Sequence, residues 1–155
     1  LVGHSSGSAT HVAYLAGSPH PAVKEAILIS LVAFGPGKLS YETEADAESA
    51  RRVLESGSDA LGEYGLAFCR SYPTTARNFL SYYDWSRSRL AEALSGLGVP
   101  AHIIIGSNDQ RMTSQWVEAM RAAHGDVIVI EGANHFFDDA HEFDLLDEFE
   151  RLLGS

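Results

Sequence analysis

Three stretches of the chain are apolar without alternation: Ala26 to Ala33, Val99 to Gly106 and Val127 to Ile130. A strand that shows one face to water alternates, whereas a continuous apolar run of this length suits a strand buried on both faces, as in a parallel sheet. Leu1 and Val2 supply a short β-prone start. Helical patterns lie between these runs, over Gly7 to Ala16, Thr113 to His124 and Asp139 to Leu153, and the first is closed by Gly17-Ser18-Pro19. In the last helix Phe143, Leu146, Phe149 and Leu153 stand at helical spacing and are expected to form its core face. The run from Ala26 is closed by Gly35-Pro36-Gly37. From Ser40 to about Gly96 the chain reads as helical and polar-aromatic, with breaks near Gly57, Gly65 and Pro73. Strands alternating with helices predict an α/β fold with a mostly parallel sheet flanked by helices.

The chemistry gathers at the ends of the predicted strands. Gly3-His4-Ser5-Ser6-Gly7 has the pattern G-x-S-x-G between a strand and a helix, the setting in which a serine is held on a sharp turn with its hydroxyl exposed. Close approach of strand and helix is expected to leave no room for a Cβ at Gly3 or Gly7. The run ending at Gly106 leads into the polar turn Gly106-Ser107-Asn108-Asp109, and Val127 to Ile130 leads into Glu131-Gly132-Ala133-Asn134-His135. Ser5, Asp109 and His135 therefore each follow a strand, at what would be the carboxyl edge of a parallel sheet, where open α/β sheets collect their functional groups. Their order along the chain is serine, acid, histidine.

On these three motifs the chain resembles the α/β-hydrolase fold superfamily, from the nucleophile elbow onward. The likeness covers nearly all 155 residues, treated as one partial domain over 1–155, with residues 35–96 the least assignable. It implies that Ser5 is a nucleophile, that His135 is its base, and that Asp109 orients and stabilises His135. The backbone N–H of Ser6 would be one oxyanion donor. The region over 35–96 takes the place of a helical cap or lid. Eight of the fifteen aromatic residues fall between Tyr41 and Trp85. They either line an apolar substrate pocket, with Tyr82 and Trp85 as contacts, or pack the small helices together. His4, inside the elbow, would line the site. The reaction implied is acyl-ester hydrolysis through an acyl-enzyme, on a small to medium apolar substrate and without a cofactor. A non-catalytic binding protein or an acyltransferase with the same three residues is the alternative. Only Leu1 and Val2 precede Gly3, so an N-terminal half of the same fold, with the second oxyanion donor, is expected as a partner. This piece alone is expected to be inactive.

Composition adds limits. The formal charge of −10 and the lack of a Lys/Arg cluster argue against nucleic acid, and no apolar stretch approaches the roughly 18 residues that span a bilayer. One cysteine, Cys69, allows no internal disulfide and fits a reducing, cytoplasmic setting; it is expected to be a small buried residue.

Several residues compete with the main assignment. His141 is six residues from His135 but falls at the start of the closing helix, where a surface or capping role is expected. Asn108 is neutral and stabilises an imidazolium poorly. Asp84 belongs to the cap region. His135, Asp138, Asp139 and His141 match no standard metal spacing, and acidic residues at a helix start suit the helix dipole.

Overall fold

The computed structural model describes residues 1–36 and 40–154, so Gly37 of the expected turn after Ala33 lies outside the described residues. The chain divides into two compact units, one made of 1–32 with 91–155 and the other of Ala33–Leu90. No described helix is long and apolar enough to cross a membrane.

The first unit holds a four-stranded parallel sheet. Its strands are β1 (Val2–His4), β2 (Ala26–Ile29), β5 (Ala101–Gly106) and β6 (Val127–Ile130), in spatial order β1-β2-β5-β6. The register sets Gly3 beside Leu28, Leu28 beside Ile103, and Ile104 beside Ile128. All four residues of β2 are buried, as is β5 apart from His102, which accounts for their unbroken apolar sequence. Both strands are shorter than their apolar runs, because parallel pairing ends where the chain turns at Ser30 and begins only after Pro100, which has no N–H to donate.

Helix α1 (Ser6–Ala16) buries Ala9, Val12 and Leu15 against β1 and β2. Helix α5 (Ser114–His124) starts where the Thr113 hydroxyl accepts the Trp116 N–H at 3.3 Å, and it buries Trp116 and Met120. The Trp116 indole donates to the Leu31 carbonyl at 2.8 Å, so this large ring is buried without a stranded N–H. Helix α6 (His141–Leu153) lays Leu145, Phe149 and Leu152 on a core of Ile27, Ile29, Ile104, Ile130, Ala133 and Phe137.

This corrects the expected core face of the last helix. Phe143 (63% exposed), Leu146 and Leu153 face outward, and of the four expected residues only Phe149 packs inward. Two apolar stripes share the helix, and periodicity cannot say which one meets the sheet.

The second unit is not purely helical, as its sequence suggested. It contains α2 (Glu44–Glu55), an antiparallel hairpin of β3 (Leu61–Leu66) and β4 (Cys69–Thr75), and α3 (Ala76–Tyr83). A further helix, α4 (Arg87–Ser95), crosses the division between the units. The breaks read at Gly65 and Pro73 lie inside the hairpin. Gly65 is where the β3 backbone meets the Tyr41 carbonyl so closely that a Cβ has no room. Tyr64 stacks on Phe79 with ring centroids 4.6 Å apart, Phe79 meets Tyr83 at 5.5 Å, and Ala47, Ala50, Ala76 and Leu80 complete that core. Three of the eight aromatics are thus packing residues. Cys69, expected to be buried, is exposed at the start of β4, next to the hairpin turn.

Candidate active site

The elbow forms because β1 runs into α1 with no connecting residue but Ser5. Ser5 has φ 57° and ψ −121°, a left-handed backbone that a non-glycine residue holds only under constraint. The constraint is visible: the Ser5 N–H donates to the Ile29 carbonyl at 2.9 Å, and the Ser8 N–H to the Ser5 carbonyl at 3.1 Å. The buried Ser8 hydroxyl lies 2.8 Å from both the Gly3 and Ile29 carbonyls, joining the two strands beneath the turn. A Cβ on Gly3 would stand 2.9 Å from the Gly7 backbone, so that glycine is required. Gly7 differs from expectation, since nothing lies within 4 Å of where its Cβ would be. The glycine at that position serves no packing need among the described residues.

Asp109 and His135 are brought together by the loops after β5 and β6, which are laced to one another. The Asn108 N–H donates to the Ala133 carbonyl (2.9 Å), the Asn108 amide to the Gly132 carbonyl (3.0 Å), and the Gly132 N–H to the Ser107 hydroxyl (2.8 Å). Gly106 has the Ala133 carbonyl where a side chain would be, so the two loops touch through backbone. Beyond His135 the Asn134 side chain folds the loop, accepting from the Phe136 N–H at 2.9 Å and donating to Asp138 at 3.0 Å.

Ser5, His135 and Asp109 form one line of hydrogen bonds. His135 Nδ1 lies 2.6 Å from Asp109 Oδ2, and His135 Nε2 lies 2.9 Å from Ser5 Oγ. A carboxylate only accepts, so Nδ1 carries the ring proton and donates it. That leaves the Nε2 lone pair to accept from the serine hydroxyl. Both Asp109 and His135 are buried, each 4% exposed. Burial alone pushes the Asp109 pKa up, but hydrogen bonds from His135 and the Arg111 N–H (2.9 Å) outweigh it and hold the carboxyl below its ordinary value. Asp109 is therefore ionised at neutral pH, with its charge fixed beside the imidazole. The arrangement can take a proton from Ser5 and stabilise the imidazolium that results.

The other expected residues fall as follows. Ser6 is the first residue of α1, so its N–H lies among the helix-initial groups that have no intrahelical acceptor. His4 sits beside His135, with ring centroids 4.9 Å apart, and its Nε2 lies 2.7 Å from the His135 carbonyl. Its bond is to the protein's own backbone. Tyr82 and Trp85 belong to the second unit, where Tyr82 meets Phe34 edge-on at 5.3 Å and Trp85 lies under the Arg89 guanidinium at 4.2 Å. Among the rivals, His141 pairs with Asp144 at the surface (3.0 Å) and Asp84 pairs with Arg51 (3.3 Å). Sequence reasoning passed over Ser8, Ser30, Ser107 and Asn134. Each acts through hydrogen bonding that the fold creates, and a serine or asparagine in a polar loop carries no spacing signal.

Comparison with known proteins agrees with the fold. A family model described as the alpha/beta hydrolase family matches residues 1–145, and the chain belongs to that family. No curated protein matches it in sequence at a significant level. Among solved structures, it is similar to a monoacylglycerol lipase from Paleococcus ferrophilus (16% identity, TM-score 0.63, covering 99% of this chain and 65% of that one). It is similar also to a thioesterase domain from the curacin biosynthetic pathway (16%, TM-score 0.60, 100% and 66%). A third likeness is to Est1E from Butyrivibrio proteoclasticus (16%, TM-score 0.58, 99% and 59%). At such identities the likeness is one of fold, and the chain spans less than two thirds of each of these structures.

Proposed function

We propose that the chain carries the reacting residues of a serine hydrolase that cleaves carboxylic esters through an acyl-enzyme. The observation that supports this best is the unbroken line from buried Asp109 through His135 to Ser5 on its strained turn. In this reading Ser5 Oγ attacks the ester carbonyl as His135 Nε2 takes its proton. The imidazolium then gives that proton to the leaving alcohol. Water, deprotonated by the same nitrogen, attacks the acyl-enzyme and frees Ser5. The Ser6 N–H, at the positive end of α1, donates to the oxyanion. The fold's chain order leads us to assign residues 35–96 to a cap with Tyr82 and Trp85 as substrate contacts, and to expect a second oxyanion donor from a segment preceding the elbow. The known neighbours include a lipase and a thioesterase domain by name, which fits an acyl substrate.

A binding-only role has no need of a serine held on a strained backbone in line with a buried imidazole and carboxylate. The test is labelling of the whole gene product by a fluorophosphonate probe. Labelling at Ser5 that disappears in Ser5→Ala supports the proposal; undiminished labelling of the variant overturns it.

A further inference from the structure

The carbonyl of His135 is held by two side chains that the proposed chemistry does not use. Ser30 follows β2 directly. It is wholly buried, and it has φ 45°, a left-handed backbone that disfavours any residue with a Cβ. Its N–H donates to the Ile104 carbonyl at 2.8 Å, which fixes the turn across to β5. Its hydroxyl donates to the His135 carbonyl at 3.3 Å. The same carbonyl, which has a second lone pair, meets His4 Nε2 at 2.7 Å. A carbonyl only accepts, so that nitrogen carries a proton and is no base for Ser5.

We propose that Ser30 and His4 are positioning residues that clamp the His135 peptide from two sides, both donating to its main-chain carbonyl. The inference rests on the Ser5–His135–Asp109 reading but concerns two further residues. Its physical basis is that an imidazole bonded at both nitrogens still needs its backbone fixed, because rotation of the His135 peptide would swing the ring out of the line. The titratable groups in contact with His135 are Asp109 and His4. With either donor removed, the peptide is freer to rotate and the His135 Nδ1–H bond to Asp109 loosens.

The experiment follows the His135 Nδ1 proton in the 15N-histidine-labelled whole gene product by NMR, together with the rate of fluorophosphonate labelling. Ser30→Gly suits the left-handed backbone, so it removes the hydroxyl without adding strain. It is expected to move the Nδ1 proton resonance and to slow labelling roughly tenfold, as fits loss of one hydrogen bond. His4→Phe keeps a ring but no donor and is expected to slow labelling similarly, while His4→Gln, which can donate, recovers most of the rate. A residue that merely stabilises the fold would lower the melting temperature and leave the resonance and the rate alone. Unchanged resonance and rate in folded Ser30→Gly and His4→Phe overturn the clamp. If the unsubstituted protein is not labelled but the resonance still moves in Ser30→Gly, the clamp stands and the nucleophile assignment falls.

Discussion

Replacing Gly106 with alanine tests whether the two loops must touch through backbone. The new Cβ would stand 2.6 Å from the Ala133 carbonyl carbon and 2.8 Å from the Asn134 oxygen, with the Ala133 oxygen nearer still. These are backbone atoms and cannot rotate away. Opening the carbon contact to ordinary van der Waals separation moves the Ala133–Asn134 segment by roughly 0.8 Å, a displacement that close-packed surroundings absorb poorly. His135 is the next residue. A shift of that size takes its 2.9 Å bond to Ser5 beyond hydrogen-bond length and loosens the Asn108-to-Ala133 bond. Overpacking of this kind costs about 1–3 kcal/mol, which for a domain of this size lowers the melting temperature by roughly 2–12 °C. Misplacing a reacting group by about an ångström costs on the order of 10²-fold in rate. The assay is fluorophosphonate labelling of folded Gly106→Ala protein beside a thermal melt. Labelling at the rate of the unsubstituted protein would refute the reasoning, whatever the melt shows.

Gly7→Ala makes the contrast, because its Cβ meets open space within α1; it is expected to stabilise the fold by about 0.5–1 kcal/mol through reduced chain entropy, read by denaturant unfolding. Asp109→Asn leaves the shape but removes the charge that fixes the His135 tautomer, and labelling should slow by roughly 10⁴-fold. Since the Asp109 carboxyl lies below its ordinary value when folded, its contribution to stability is complete above about pH 4 and is lost as pH falls through the folded value. The acid limb of a pH–stability curve should therefore flatten in the asparagine variant. At the alkaline end, burial and the Glu44 carboxylate, which accepts from the Tyr83 hydroxyl at 2.6 Å, raise the Tyr83 pKa to about 12. The phenol's stabilisation is thus intact below about pH 10 and is lost as pH rises through 12; Tyr83→Phe should remove that alkaline slope.

How far the sequence carries the site differs from residue to residue. Ser5, Asp109 and His135 are legible because each follows a strand whose apolar run marks it as buried, and because a serine between two glycines at a strand–helix junction is a local pattern. Ser30 has the same kind of position, just after β2, yet a serine there predicts nothing; its meaning lies in His135, which is 105 residues away in sequence. His4 is legible as a neighbour of Ser5 but not as a donor to the His135 carbonyl. The hairpin over Leu61–Thr75 was hidden because Gly65 and Pro73 are breakers of a helix and equally at home in a short, twisted, solvent-exposed ribbon.

The parallel sheet, the strand-end placement of Ser5, Asp109 and His135 and their chemical types are legible in the sequence, since these depend on hydrophobic period and on residue identity. Tertiary structure alone decided which stripe of α6 faces inward, that Gly3 and Gly106 admit no side chain while Gly7 does, and that Ser30 and His4 hold the histidine loop. Those features are contacts between segments far apart in the chain. A hydrogen bond's direction and a Cβ's clearance are set by the packed backbone, and no local pattern records them.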